Sequence, residues 1–243
     1  MTERGSAHGE RTATRFSLGP SDLEWRDGRL VLNFDERAMP WPRQNMLPER
    51  IRGKLTLDAG AITRRAFTID AEDRHGWWPI SPSSRIKAEF DGGKIPDWEG
   101  HGYLDSNWGE AGLEDAFIDW DWARGELPSG DTVILYDTRR RDGSEKCLCL
   151  RYAEDGSVSE FELPQRHSLG RGFWGVLRAS HADNGHAPRL VRSLEDGPFY
   201  CRSEIFTRLL GEDITLMHES FSGKRFANPL VKAMLLFRMP RRR

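Results

Sequence analysis

The chain has 243 residues, 36 Lys and Arg against 38 Asp and Glu, and a formal net charge of −2, a length that fits one large domain or two small ones. No apolar run approaches the roughly 18 to 20 residues of a membrane-spanning helix, and Met1-Thr-Glu-Arg-Gly5 has no apolar core of a signal peptide. Near-neutral charge excludes a dedicated nucleic-acid binder, which carries a basic excess. The cysteines are odd in number. Cys147 and Cys149 lie two apart on a predicted strand, on one face but too far apart to bridge, which predicts a reduced, cytoplasmic setting.

In chain order, the first residues to Arg15 are polar. Short alternating runs rich in β-branched and aromatic residues then predict strands over 29–35, 50–57, 62–69, 85–90, 132–138 and 146–152. Asp27-Gly28, Asp91-Gly-Gly93, Asp142-Gly143 and Asp155-Gly156 supply tight-turn chemistry between them. Further strands are predicted over 158–163, 173–180, 189–194, 200–209 and 213–221. One helix is expected, at the C-terminus, with Asn228 as N-cap and Pro229 in the first position. About a dozen such strands predict an all-β protein of antiparallel barrels or sandwiches. The Gly-rich stretch near 109–113 divides it into an N-terminal domain, 1–110, that is short of strands, and a C-terminal domain, 111–243.

Ser222 to Arg243 carries seven basic and no acidic residues, leaving −9 on the rest. This basic tail has two readings: a solvated helix end, or a peripheral contact with anionic lipid.

Gly-rich phosphate loops, Cys-x-x-Cys, His-Glu-x-x-His and Gly-x-Ser-x-Gly are all missing from the sequence, so no organic cofactor and no metal is expected. His181 and His186 flank an Asp-Asn-Gly turn and read as a solvated loop. The unusual stretches are His75-Gly-Trp-Trp-Pro79 and Asp97-Trp-Glu-Gly-His-Gly-Tyr-Leu-Asp-Ser-Asn-Trp-Gly109. Tyr103 and Asp105 are two apart on a predicted strand and share a face, as His101 does where the strand reaches it. A carboxyl group screened from water among aromatic rings favours its neutral form and can donate a proton. The structural alternative is that these Trp residues fill a barrel end. Trp120 and Trp122 read as a barrel plug or interface pack, with Glu114, Asp115, Asp119 and Asp121 as exposed rim charges.

The segments Arg74-His-Gly-Trp-Trp-Pro-Ile-Ser-Pro82, Gly102-Tyr-Leu-Asp-Ser-Asn-Trp-Gly109, Leu113-Glu-Asp-Ala-Phe117, Trp120-Asp-Trp-Ala-Arg124, Arg192-Ser-Leu-Glu-Asp-Gly-Pro-Phe-Tyr200 and Phe237-Arg-Met-Pro240 resemble the carotenoid 1,2-hydratase family, also called hydroxyneurosporene synthase. The resemblance implies a tandem lipocalin-like β fold and addition of water to the terminal C1=C2 bond of an acyclic carotenoid, without an organic cofactor. It implies Asp105 as general acid, with Tyr103, His75 and Trp77 as catalytic partners, and Trp78, Trp108 and His101 as substrate-binding residues. His75 has two open roles, orienting Asp105 or activating water. The implied partners are the carotenoid and water. Chains of this type continue upstream, so an incomplete N-terminal domain is expected. The alternatives are a lipocalin-like carotenoid or isoprenoid carrier, and a cyclase or lyase using the same acid.

Overall fold

The computed structural model describes residues 3–38, 47, 49–238 and 241–242. Among them it is all-β: β1 (Glu3–Arg4), β2 (Gly9–Arg11), β3 (Arg15–Leu18), β4 (Ser21–Arg26), β5 (Arg29–Ala38), β6 (Glu49–Asp58), β7 (Phe67–Thr68), β8 (His75–Phe90) and β9 (Trp98–Gly109) precede a one-turn helix, α1 (Leu113–Ala116). Then follow β10 (Phe117–Glu126), β11 (Thr132–Arg140), β12 (Glu145–Tyr152), β13 (Val158–Glu160), β14 (Gln165–Arg171), β15 (Leu177–Ala182), β16 (Arg189–Asp196), β17 (Tyr200–Leu209) and β18 (Glu212–Ser222). The chain closes with α2 (Gly223–Phe226), α3 (Pro229–Arg238) and β19 (Arg241–Arg242). Among the described residues no helix is long and apolar enough to cross a membrane.

The chain forms two units, and neither is one continuous stretch. The first holds residues 1–60, 83–104 and 233–243, and the second 61–82 and 105–232. β8 and β9 each pass from one unit to the other. The cut expected near residue 110 lies close to the crossing in β9, while residues 61–82 belong to the second unit.

The first unit is an antiparallel meander, β2 to β6, with β6 pairing residues 85–90 of β8. Asp27 (φ 50°) and Gly28 (φ 75°) turn β4 into β5, the positive-φ pair that a two-residue hairpin requires. β3 and β4 were not predicted, because Phe16, Leu18, Leu23 and Trp25 alternate with polar and charged residues over runs too short to register.

The second unit is built on a seven-stranded antiparallel sheet in the order β13-β12-β11-β10-β18-β17-β16, with the β14–β15 hairpin as a separate pair. Its core gathers Ala123, Val133, Leu135, Ile205, Leu209, Ile214 and Leu216 from β10, β11, β17 and β18. Each fully buried Val, Leu or Ile side chain among them contributes about 1.5–3 kcal/mol.

Three predicted strands are corrected. Residues 62–69 form a strand only at Phe67–Thr68; Thr63 instead bonds β8, its N–H to the Ile80 carbonyl (2.8 Å) and its hydroxyl to the Pro79 carbonyl (2.6 Å). The run 158–163 ends at Glu160. Strand β15 begins at Leu177, because residues 172–175 turn, with Phe173 and Trp174 exposed. The terminal helix forms as predicted, with Asn228 Oδ1 accepting the Leu230 N–H at 2.9 Å.

Candidate active site

Strand β8 begins with His75-Gly-Trp-Trp, and alternation sends His75 and Trp77 to one face and Gly76 and Trp78 to the other. On the inner face Trp77 is 1% exposed. Its indole N–H donates to Asp105 Oδ2 at 3.0 Å, and Asn107 donates to the same oxygen at 3.3 Å. The Trp77 ring lies 5.6 Å from Phe67 and meets Tyr136 edge to face at 5.2 Å. Tyr136 in turn meets Trp120 at 5.8 Å, and Trp120 stacks on Phe221 at 5.5 Å. A wall of aromatic rings thus runs from β8 across β11 and β10 to β18, with the half-buried Asp105 carboxyl bonded to its first member.

Burial, then the charges of Asp105 and Glu219, push the Tyr136 hydroxyl well above the ordinary phenol range, so it stays a neutral phenol. Glu219 is tied to Arg202 at 3.0 Å.

His75 is buried beside this wall, and its ring nitrogens lie 3.2 Å from Asp70 Oδ2 and 3.0 Å from the Ala111 carbonyl oxygen. Its backbone N–H donates to Asp70 Oδ1 at 2.9 Å. Burial raises the Asp70 carboxyl, but these hydrogen bonds and the charge of His75 outweigh it and hold it below the ordinary carboxylate value. His75 is therefore fixed by Asp70 and the Ala111 carbonyl, and Asp105 is engaged by Trp77.

The other expected site residues are placed differently. Trp78 points to the opposite face, where its N–H donates to Thr63 Oγ1 at 3.1 Å. Trp108, 51% exposed, lies on the Gly76 side of β8. Tyr103 precedes Asp105 by two residues on β9 and belongs to the first unit. His101, also in the first unit, is exposed beside Arg85 at 3.3 Å.

Two expectations about charged groups are corrected. Asp121 is not a rim charge but 8% exposed: it accepts from the Ser220 hydroxyl (2.6 Å), Arg166 (2.6 Å) and the Ala179 N–H (3.3 Å), and burial pushes its carboxyl up. The reason is that β10 lies inside the sheet, so a residue between the two Trp is covered as well. Glu114 and Asp119 are partly buried in ion pairs with Lys232 and Arg139, leaving Asp115 exposed. His181, read as a loop residue, is 2% exposed on β15. Tyr136, Phe221 and Asp70 were not predicted for the site; the alternation of β11 and β18 is the signal of the first two, but it is packing against β8, a strand of the other sheet, that brings Tyr136 to Trp77, while Asp70 reaches His75 across a five-residue step in the chain.

The site is thus an aromatic wall with a hydrogen-bonded carboxyl at its edge, carried by an antiparallel β unit. The sequence profile described as Carotenoid hydratase CrtC matches residues 1–243. The chain is 45% identical over 242 residues to an acyclic carotenoid 1,2-hydratase of Thiocapsa roseopersicina, covering 99% of this chain and 58% of that protein. It is 37% identical to the enzyme of the same name from Rubrivivax gelatinosus, covering 100% and 58%. Among solved structures, kievitone hydratase from Nectria haematococca superposes with a TM-score of 0.56 at 11% identity, covering 85% of this chain and 69% of that one. This likeness shows the fold alone, which is all-β and lipocalin-like. The chain belongs to the carotenoid hydratase CrtC family. It spans 58% of the length of the two carotenoid hydratases compared.

Proposed function

We propose that the chain adds water to the terminal C1=C2 bond of an acyclic carotenoid, with Asp105 as the acid. The observation that carries this reading is the Trp77 N–H to Asp105 hydrogen bond, which holds a carboxyl group at the edge of an aromatic wall. An isolated trisubstituted alkene is a very weak base, so the reaction needs a placed acid and electron density for the cation. The Asp105 carboxylic acid gives its proton to C2, and positive charge develops at the tertiary C1. The faces of Trp77 and Tyr136 stabilise that charge. A water oxygen bonds to C1 and its proton returns to the Asp105 carboxylate, which restores the acid. Tyr103 shares the Asp105 face of β9. Trp77 positions Asp105, and His75 positions the start of β8 through Asp70.

Purified protein incubated with neurosporene or lycopene in detergent is expected to yield product heavier by one water. Asp105→Asn should lower that rate by about 10²–10⁴-fold while still binding the polyene. Equal product from both proteins would place the acid elsewhere. Binding without product from either would favour the carrier, and product of unchanged mass the cyclase.

The same reading includes peripheral contact with anionic lipid through the basic tail. Leu230 is 76% and Met234 39% exposed on α3, beside the seven basic residues of 222–243, the combination used by interfacial segments.

A further inference from the structure

On the second unit, away from the Trp77–Asp105 bond, strand pairing gathers a second set of side chains. Asp137 on β11 lies directly opposite Cys147 on β12, and His181 on β15 reaches the same point. One ligand atom from each of these three lies within 4.8 Å of the others. Cys149, two residues along the same face of β12 and at the edge of the apolar core, lies beside this three-residue cluster, its Sγ 3.6 Å from Cys147 Sγ. None of the cysteines is disulfide-bonded.

We propose that Asp137, Cys147, Cys149 and His181 bind a thiophilic divalent cation of the zinc class. Four geometric and chemical facts carry this. First, zinc takes Cys, His and carboxylate ligands tetrahedrally, and Zn–S bonds of about 2.3 Å place two ligating sulfurs roughly 3.8 Å apart. The observed sulfur pair already has that spacing. Second, His181 Nδ1 lies 2.7 Å from the Pro164 carbonyl oxygen, an acceptor that fixes the ring as backbone carbonyls fix metal-bound histidines. Nε2 is left directed at Asp137 Oδ2, 2.7 Å away, a pair that opens by about 0.6 Å to admit the ion between tetrahedral ligands. Third, two thiolates, a carboxylate and a dication sum to one negative charge. Arg166, whose guanidinium lies 3.3 Å from Asp137 and 2.6 Å from Asp121, supplies the balancing positive charge. Fourth, a cavity of about 370 Å³ lined by Asp137, Cys147, His181, Arg166 and Trp120 gives the ion a way in.

Binding releases one proton from each thiol, and the proton shared by His181 Nε2 and Asp137, to solvent and involves no change of oxidation state. Four protein ligands close the coordination sphere, which is the pattern of a structural site. The ion would fasten the β14–β15 hairpin to β11 and β12. That hairpin supplies the Ala179 N–H that reaches Asp121, and Trp120 of the aromatic wall borders the same cavity.

The test uses the full chain, stripped with chelator, kept reduced, and titrated anaerobically with Co²⁺ alone. The expected result is a near-ultraviolet thiolate-to-cobalt charge-transfer band with strong visible bands of tetrahedral cobalt, abolished by Zn²⁺. Cys147→Ser and Cys149→Ser should each weaken the charge-transfer band by about half or more, because half of the thiolate ligands are removed, and His181→Asn should shift the visible bands. Cys201→Ser should change nothing, since Cys201 lies beside Asp196 at 3.6 Å, outside the cluster. Zn²⁺ should also raise the thermal midpoint of wild type and Cys201→Ser. A wild type without the charge-transfer band, or a band that stays at full strength in folded Cys147→Ser or Cys149→Ser, would overturn the site. Should a cysteine variant fail to fold, the wild-type cobalt spectrum and zinc-induced thermal shift decide alone.

Discussion

Trp77 contributes through both parts of its side chain. The ring fills the space between Phe67 and Tyr136, and the N–H reaches Asp105. Trp77→Phe keeps most of the packing and removes the donor. The bond strengthens as the carboxylate forms during proton transfer, and a hydrogen bond to a charged group is worth about 1.5–3 kcal/mol, so the hydration rate is expected to fall about 10- to 100-fold. Carotenoid binding, followed by absorbance shift, should change little; loss of binding with an unchanged rate would assign Trp77 to the pocket wall alone. Asp70 makes a separate prediction. Its folded carboxyl titrates below the ordinary value, so its stabilising contribution is present above about pH 4, the unfolded value, and is lost as pH falls through the folded one. Asp70→Asn should cost about 1–3 kcal/mol at neutral pH, and the gap between variant and wild type should close below about pH 4. Urea unfolding across pH checks this, and a gap that stays constant would sink it.

At the level of strands, β8 and β9 meet through glycine. A Cβ at Gly109 would come within 2.5 Å of His75 Cδ2, and one at Gly76 within 2.2 Å of the Trp108 ring. The nearer clash is predicted to be the milder. Trp108 is half exposed and can swing into solvent, while His75 is buried and held at both nitrogens. Gly109→Ala should destabilise by about 1–3 kcal/mol and Gly76→Ala by less, measured by denaturant unfolding; the reverse order would show that Trp108 is the more tightly held. Legibility from sequence divides along similar lines. Strands β17 and β18 were readable because one face is buried and the other wetter, and β5 because the Asp27-Gly28 turn opens it. The first half of β8 was not: Pro79 and Pro82 lack donors and most of its residues are buried, so alternation disappears. There the Thr63 and Arg124 hydrogen bonds to the Pro79, Ile80 and Pro82 carbonyls take up acceptors of the strand.

Over the whole molecule, charge is divided, with seven positive charges in residues 222–243 and −9 elsewhere. Removing that entire segment would be a poor test of lipid contact, because Phe226 packs on Phe199 at 4.8 Å and on Phe221 at 5.8 Å. Replacing Arg238, Arg241, Arg242 and Arg243 by Gln spares that packing. At about 1 kcal/mol per basic residue near an anionic surface, partitioning onto phosphatidylserine-containing vesicles should fall at least about 10-fold, and wild-type binding should weaken with salt. Unchanged sedimentation with vesicles would exclude the tail as the contact. The order of residues along the chain was sufficient for the β class, the turns and the C-terminal helix, which depend on short-range rules of periodicity, turn geometry and capping; Asp105 and Trp77 became candidates for one site through the family resemblance their motifs carry. Burial of Asp121, the Tyr136–Trp120–Phe221 wall and the convergence of His181 on Cys147 came from strand pairing and the packing of strands distant in sequence. No local pattern encodes which strand lies beside which, so the environment of each of those side chains was set by folding.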